Sequence, residues 1–191
     1  MSGRQAKILS DHQLNCLLIF ACNTRNPIRD KLIVLLSVKA GLRAGEIAKL
    51  TWDMVLDPTG QIGGVIELRN CAAKKGSGRL IPINPTLRAA LTAWREVTTG
   101  TGPIIVSQRG DAMRAVSIVN WFAAAYQKVR LDGCSSHSGR RTFITRAARL
   151  VHRAGGSLRD VQLLAGHRSI QTTQRYIDGD TDVQRKLVAM I

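Results

Sequence analysis

The sequence has few acidic residues, few aromatic side chains and no long hydrophobic run. Only 13 Asp and Glu stand against 28 Lys and Arg, which leaves a net charge of +15 at pH 7. A strongly basic chain of this kind indicates a polyanionic partner, and nucleic acid is the first candidate. No apolar stretch reaches the roughly 18 residues of a membrane-spanning helix, and the run at residues 32–38 predicts a buried helix instead. We therefore expect no membrane partner.

Cysteine is scarce as well, and its spacing fits no common metal site. The four cysteines include no Cys-x-x-Cys pair and no Cys/His cluster of zinc spacing, so we expect no metal ion. Cys16 and Cys22 lie along an apolar run, which predicts that both are reduced core residues. The amino-terminus has no continuous apolar segment of signal-peptide type, and we interpret the chain as cytoplasmic.

Helical periodicity dominates the chain and predicts a mostly α fold with a small antiparallel β-sheet, an α+β class, in one domain over residues 1–191. Helices are predicted from Ser10, over 32–39 with Gly41 at the end, after Asn84 and Pro85, over 115–129, from Ser136 to Ala148, over 158–165, around Thr172 and, as an amphipathic tail, over 181–191. Strands are predicted at 65–68 and 79–83 with a tight hairpin at 74–78, and Trp52, Met54 and Val55 are predicted to be extended.

Six residues that suit phosphate chemistry occur along this chain. They are Arg43, Lys74, His137, Arg140, His167 and Tyr176. Between residues 137 and 176 the sequence contains eight arginines but a single acidic residue, Asp160. A phenol has a pKa near 10, so it attacks at neutral pH only with a base or cations beside it. Arginines donate paired hydrogen bonds to phosphate oxygens, and a lysine can protonate a leaving oxygen. The set therefore suits attack of a tyrosine on a phosphodiester.

Taken singly, these residues have ordinary interpretations. Tyr126 is a useful comparison, because its neighbours Phe122 and Val129 predict a core aromatic, and Val119 is expected on the same buried face. The lysine pair at 74–75 also fits a solvated hairpin tip. Either lysine can be the functional one, and the family resemblance given next favours Lys74, which lies five residues before Arg79. Spacing alone does not predict that Arg43 and Lys74 meet the other four residues.

Four segments carry a resemblance to the tyrosine recombinase (phage integrase) family. They are AGLRAGEI with LTW at residues 40–52, Lys74 with RLIPI at 79–83, HSGRRTF at 137–143, and LLAGH through TTQRY at 163–176. All six residues stand in the family's order, and the resemblance covers nearly the whole chain. It implies the family's catalytic-domain fold. The chain departs from the family where Ser138-Gly139 replaces a frequent Asp-Leu and where Arg141 replaces a frequent His.

The resemblance also implies a role for each residue. Arg43, Arg140 and His167 would hold the scissile phosphate, and Glu46 matches an acidic position that supports the site. Lys74 would protonate the leaving 5′-hydroxyl. His137 would take the proton of Tyr176, which would become joined to the 3′-phosphate of DNA. Because a phosphotyrosine conserves the energy of the bond, no cofactor is expected.

The partners implied are double-stranded DNA, further copies of the chain in a tetramer joined through the helix at 181–191, and accessory DNA-bending proteins. Lys75, Arg79, Arg141 and Arg168 are expected to contact DNA. The family's amino-terminal core-binding domain is not expected in this chain, which is either a catalytic fragment or a naturally short member. A bacterial, phage or plasmid origin and association with the nucleoid follow from the same resemblance. The alternatives are a DNA-binding regulatory module without autonomous recombination, or strand relaxation of the type IB topoisomerase kind.

Overall fold

Helices form most of the protein in a computed structural model that describes residues 6–176, 185 and 188–191. The helices are α1 Asp11–Cys22, α2 Pro27–Lys39, α3 Ala44–Ala48, α4 Pro85–Glu96, α5 Ala115–Lys128, α6 Ser138–Leu150, α7 Leu158–Ala165 and α8 Ile170–Gln174. The strands are β1 Val65–Leu68 and β2 Arg79–Pro82, and short 3-10 helices lie at Trp52–Met54, Lys74–Gly76 and Val151–Ala154. The predicted fold class, mostly α with a small antiparallel sheet, is confirmed. Of the predicted tail helix at 181–191, residues 181–184, 186 and 187 lie outside the described residues.

Side-chain caps account for several helix starts. Ser10 and Gln13 form a reciprocal capping box at the start of α1, and the side chain of Asn84 accepts a hydrogen bond from the backbone of Thr86 before α4. Such caps satisfy backbone N–H groups that have no partner inside the helix. The predicted helix starts at Ser10 and at Asn84 are confirmed, although the part of Gln13 was not predicted.

The start of α6 differs from the prediction. Ser136 was predicted to cap this helix, but the helix begins at Ser138 with His137 at the cap position. The local hydrogen bonds come instead from the two flanking serines: Ser135 Oγ accepts from the His137 N–H at 3.3 Å, and Ser138 Oγ accepts from the Ser135 N–H at 3.0 Å. His137 is thereby held at the junction between loop and helix.

The sheet is a single antiparallel pair, and its connection is longer than predicted. Val65 pairs with Pro82 and Leu68 with Arg79, so residues 69–78 form a loop and the tight hairpin predicted at 74–78 is wrong. A 3-10 turn at Lys74–Gly76 occupies the far part of this loop. Residues 52–54 also form a 3-10 turn, closed by a hydrogen bond from Val55 N to Trp52 O at 2.9 Å, so the predicted extended segment is wrong as well.

Two hydrophobic clusters hold the helices together. The main core surrounds α2, whose residues 32–38 are all buried as predicted, and Phe122 and Tyr126 of α5 also lie in it. A second cluster consists of Ile144, Ala148, Val151, Val161 and Ala165, with Tyr176 packed against it. Two predicted core positions are wrong: Val119 is 40% exposed, and Cys22 is exposed at the end of α1.

Helix α6 supplies Ile144 and Ala148 to the second cluster, and its first turn lies directly on α2. A β-carbon added at Gly139 would overlap Ser37 Oγ and lie 2.9 Å from Ser37 Cβ and 3.0 Å from Val38 Cγ1. The absence of a side chain at Gly139 is therefore what allows this approach. It brings the next residue, Arg140, against the turn that follows α2. Among the described helices, none is long and apolar enough to cross a membrane.

Candidate active site

Arg43 is fixed by Glu46, one turn further along the chain. The Arg43 backbone N–H donates to Glu46 Oε2 at 3.0 Å, and its Nη1 donates to Oε1 at 2.7 Å. A second arginine reaches the same carboxylate, because Arg79 Nη2 donates to Oε2 at 3.0 Å. Glu46 is buried, with 1% of its surface exposed, and so lies between two guanidinium groups.

These two arginines keep Glu46 ionised. Burial by itself would raise the pKa of the carboxyl, but hydrogen bonds and positive charge from Arg79 and Arg43 lower it to about 2. A buried carboxylate that stays charged is a fixed negative centre. It orients both guanidinium groups.

Arg140 is the most deeply buried of the six residues, with 2% of its surface exposed. Its Nη1 donates to Gly41 O at 2.6 Å, and its Nη2 donates to Ala165 O at 2.6 Å and lies 3.1 Å from His167 Nε2. Burial and the charge of Arg43 lower its pKa to about 10, so Arg140 remains protonated at neutral pH. It therefore joins the turn after α2 to the end of α7.

The end of α7 positions His167. Gly166 closes the helix in the left-handed conformation at φ +63°, which glycine adopts without strain. Backbone N–H groups of Gly166 and His167 bond to Leu163 O and Gln162 O. The next two carbonyls accept from arginines, Leu164 O from Arg79 Nε at 2.9 Å and Ala165 O from Arg140.

His167 is held at both ring nitrogens. Nε2 lies 3.1 Å from Arg140 Nη2, and Nδ1 lies 2.9 Å from the hydroxyl of Thr173. Burial and the charges of Arg140, Arg43 and Arg79 lower its pKa to about 4, so the ring is neutral at pH 7. With an arginine donating to Nε2, the ring proton belongs on Nδ1, where it can be donated to Thr173.

Tyr176 lies against His167. Their rings stack with centroids 5.4 Å apart and planes 25° apart. The backbone is tied on both sides, because the Tyr176 N–H bonds to Thr173 O at 3.0 Å and Thr145 Oγ1 donates to Tyr176 O at 3.2 Å. The residue was predicted to lie on a short helix, but α8 ends at Gln174 and Tyr176 follows it.

His137 lies where two clefts meet. It lines one cleft with Arg140 and Tyr176, and a second cleft with Arg43 and Lys74. Burial and the charges of Lys74, Arg43 and Arg140 lower its pKa, which favours the neutral imidazole. The fold thus brings together all six residues that the sequence singled out, although Arg43 and Lys74 come from distant segments.

The residues predicted to contact DNA lie in different environments. Arg141 lines the cleft of Tyr176, and Arg168 is exposed beside a groove next to β2. Arg79 instead directs its donors inward, with 5% of its side chain exposed, and the side chain of Lys75 lies outside the described part of the structure. Among the described residues, no group of three or more His, Cys, Asp or Glu is placed to hold a metal ion.

Three supporting polar residues were missed by the sequence reasoning. Thr173 contacts the His167 ring, Gln162 Nε2 donates to His167 O at 2.9 Å, and Thr145 holds the backbone of Tyr176. Gln162 and Thr145 lie on predicted helices at positions where an apolar residue would ordinarily be buried. A polar residue on a core-facing helical position is the signal that would have identified them.

Lowering the pH from 6.5 to 4 is expected to reduce the free energy of unfolding, with His167 as the main cause. In an unfolded chain this histidine takes up a proton near pH 6.5, but in the folded protein only near pH 4. The unfolded state therefore binds more protons in this window, and stability that is complete above pH 6.5 is lost as the pH falls. We expect a loss of about 1–2 kcal/mol after solvent screening, measured by urea unfolding.

The matched variants are His167→Asn and His12→Asn. His12 is exposed on α1, so its replacement should leave the pH dependence intact, whereas His167→Asn should remove the largest part of it. The carboxyl of Glu46 titrates between pH 4.5 and about 2 and adds a smaller loss near pH 4, but this loss is common to all three proteins and cancels in the comparison. An identical pH profile in His167→Asn and the unaltered protein would contradict the assignment.

Comparison with known proteins identifies the family. The model described as "Phage integrase family" matches residues 7–182. Tyrosine recombinase XerD of Ralstonia nicotianae is 32% identical over 188 residues, which cover 91% of this chain and 56% of the relative. Tyrosine recombinase XerC of Pelobacter propionicus is 28% identical over 153 residues, covering 78% of this chain and 47% of the relative. The chain spans about half the length of the curated relatives it matches.

Solved structures share the fold. The crystal structure of XerA recombinase superimposes with a TM-score of 0.76 at 23% identity, over 96% of this chain and 64% of that one. A lambda integrase dimer bound to a COC′ core site gives a TM-score of 0.73 at 20% identity, over 93% of this chain and 49% of that one. The fold, the order of the six residues and the family match agree with one another, and the chain belongs to the phage integrase family.

Proposed function

We propose that the protein cuts and rejoins double-stranded DNA at specific sites through a covalent 3′-phosphotyrosine formed by Tyr176. The observation that carries the proposal is the direct link from nucleophile to phosphate-binding groups. The Tyr176 ring stacks on His167, and His167 is hydrogen-bonded to Arg140. A phenol, a neutral imidazole and a charged guanidinium thus lie beside one another at a cleft on a basic protein.

Arg43 and Arg140 are the proposed phosphate clamp. Attack on a phosphodiester gathers negative charge on the non-bridging oxygens, and preorganised cations stabilise that charge without having to move. Both guanidinium groups are already fixed, Arg43 by Glu46 and Arg140 by two backbone carbonyls. His167 is a third group at this position, and it joins the clamp through its Nε2, which lies 3.1 Å from Arg140 Nη2.

His137 and Lys74 are the proposed proton carriers. The phenol of Tyr176 forms a bond to phosphorus and passes its proton to His137, whose lowered pKa leaves the ring free to accept it at neutral pH. The bond from phosphorus to the 5′ oxygen breaks, and Lys74 supplies a proton to that oxygen. Attack by a 5′-hydroxyl on the phosphotyrosine then reverses these transfers and releases Tyr176. One phosphodiester is lost and one is formed, so no energy source is consumed.

A covalent trap tests this function. The protein is incubated with a library of duplexes of randomised sequence that carry single-strand nicks, so that a short 5′-ended fragment diffuses away after cleavage. We expect an adduct that survives denaturation, with the DNA linked to the peptide containing Tyr176 by mass spectrometry. Binding without an adduct would instead support a regulatory DNA-binding module. Relaxation of supercoiled DNA without exchange of partners would support the topoisomerase alternative.

DNA affinity is expected to fall steeply with salt. A protein with net charge +15 releases counterions when its lysines and arginines meet phosphates, so that four or more contacts weaken binding about 100-fold or more between 50 and 200 mM salt. Fluorescence anisotropy with a labelled duplex across a KCl series measures the slope. An affinity that stays level over this range would argue against a phosphate-binding surface.

We further propose assembly of the protein into a tetramer on DNA through residues 181–191. Of the solved structures with this fold, one is a lambda integrase dimer on a core site. The basic charge supports DNA as the scaffold of assembly, and accessory DNA-bending proteins are a further proposed partner. A variant that ends at residue 180 should retain the covalent adduct but lose pairing of two DNA sites in a gel assay. Intact pairing in that variant would refute the role of the tail.

A further inference from the structure

Arg79 takes no part in the mechanism above, yet its side chain is buried between two parts of the site. Its Nη2 donates to Glu46 Oε2 at 3.0 Å, and its Nε donates to Leu164 O at 2.9 Å. We propose that Arg79 is a positioning residue, which makes no contact with DNA and holds the phosphate-binding groups Arg43 and His167 in their relative places. This inference rests on the proposed function, because it assigns a role within the same site.

The connection to Arg43 runs through Glu46. The carboxylate accepts from the backbone and the guanidinium of Arg43 and from two nitrogens of Arg79. Glu46 is 1% exposed, and a buried carboxylate is oriented by all of its donors together. Loss of the Arg79 donors would leave Glu46 free to rotate toward Arg43, and the guanidinium of Arg43 would move with it.

The connection to His167 runs through the end of α7. Arg79 holds Leu164 O, and Arg140 holds the adjacent carbonyl, Ala165 O. The stem of Arg79 also packs beside Gly166, where an added β-carbon would lie 2.9 Å from Arg79 Cδ. Arg79 thus holds the Leu164 carbonyl and packs on the Gly166 turn, both within the three residues that precede His167.

Only the forked shape of arginine suits both connections. Nε and the two terminal nitrogens point in different directions from a rigid plane, so that one side chain reaches a carboxylate and a carbonyl on separate elements. A lysine keeps the positive charge beside Glu46, but its single nitrogen cannot span both. Arg79→Lys is therefore the informative variant, since it does not leave a buried carboxylate without its countercharge.

The first test compares two substrates at the site recovered by the covalent trap. Arg79→Lys should slow adduct formation on the natural phosphodiester by about 10- to 100-fold, the effect of a displacement of about 1 Å in a reacting group. With a neutral methylphosphonate at the cleavage position the loss should be below about threefold, because a neutral centre needs less cationic stabilisation. An equal loss on both substrates would overturn the proposal.

A third substrate separates the phosphate clamp from the general acid. Sulfur in place of the 5′ bridging oxygen leaves as a thiolate, which needs no proton from Lys74. If this substrate restored the rate of Arg79→Lys, the arginine would act through Lys74 and the proposal would fail. Continued slow cleavage of it supports the clamp.

Arg88→Lys is the matched control. Arg88 on α4 also donates to two backbone carbonyls, Ile62 O and Gly63 O, but outside the site. Its replacement should change adduct formation by less than about twofold on either substrate, since distant sites act independently. A selective loss on the phosphodiester in Arg88→Lys would show that any weakened arginine gives this pattern and would refute the assignment.

Hydrogen exchange in the free protein tests the inference without DNA. In Arg79→Lys the amides of Gly166 and His167, which bond to Leu163 O and Gln162 O, should exchange about 10-fold faster or more, while amides of α4 keep their protection. Unchanged exchange at these two amides would overturn the positioning role. This result stands apart from the proposed function, which fails instead if the unaltered protein forms no adduct on any DNA.

Discussion

Replacement of Tyr176 by Phe is expected to abolish covalent attachment to DNA. The substitution removes one oxygen and leaves the ring that stacks on His167 and packs on the second cluster. The proposed phosphate clamp, general base and general acid all stay in place, but the proposed nucleophile can no longer form a bond to phosphorus. Adduct formation on the trapped DNA should fall by at least about 1,000-fold, measured on a denaturing gel with end-labelled DNA.

The protein contains a matched control for this experiment, because it has only two tyrosines. Tyr126 is buried in the main core, and burial raises the pKa of its hydroxyl. Within the described structure this hydroxyl has no hydrogen-bond partner, so Tyr126→Phe removes an unsatisfied polar group and should leave folding stability unchanged or slightly higher. Adduct formation should equal that of the unaltered protein.

The last measurement is the affinity of Tyr176→Phe for DNA. The variant should bind the duplex with unchanged affinity, because every lysine and arginine of the protein is retained. A covalent adduct that persists in Tyr176→Phe, or one that disappears in Tyr126→Phe, would contradict the assignment of the nucleophile.

Substitution of Gly139 by Ala is expected to destabilise the fold by about 2–3 kcal/mol through overpacking. The new β-carbon would overlap Ser37 Oγ and press on Val38 Cγ1, so α6 must move away from α2. Arg140 follows directly and would be drawn from Gly41 O, which it reaches at 2.6 Å. We therefore expect lower stability in urea unfolding together with slower adduct formation.

Two further variants identify the cause. At Gly45 on α3 an added β-carbon meets nothing within 4 Å, so Gly45→Ala should leave stability unchanged or raise it by up to about 1 kcal/mol. Ser37→Ala removes the oxygen that Gly139→Ala would strike, and that oxygen has no hydrogen-bond partner in the described structure. Combined with Gly139→Ala it should restore about 1 kcal/mol or more. Strictly additive losses in the double variant would exclude the contact.

The sequence predicted the positions of the helices better than their capping residues and the burial of single side chains. The bounds of α7 agree with the prediction, because Leu158, Val161 and Ala165 recur at helical spacing and Gly166 ends the pattern. The cap of α6 was misassigned because several serines adjoin its start, and local sequence does not decide which hydroxyl faces the free N–H groups. Val119 was misplaced because it borders the apolar face of α5, and only tertiary packing leaves that edge open to the cleft.

The sequence predicted which residues belong to the candidate site, but it did not predict their relative positions. His137 and Arg140 are three positions apart, so their shared face was predictable. Arg79 shows the opposite case, since an arginine in a basic sequence suggests surface charge. Its partners Glu46 and Leu164 lie 33 and 85 positions away, and such pairings exist only once the chain has folded.

The candidate site is built on two hydrophobic clusters of different size, which therefore differ in the free energy needed to open them. Arg43 is attached to the main core. Tyr176 packs instead on the second cluster, which consists of five buried residues and is much smaller than the main core. Small units open at a lower free energy than the whole domain. Opening of the second cluster therefore loosens Tyr176 together with α6 and α7, on or next to which Arg140 and His167 lie, while Arg43 stays attached to the main core. Under the proposed function, the site can be loosened and restored between cutting and rejoining without unfolding of the main core.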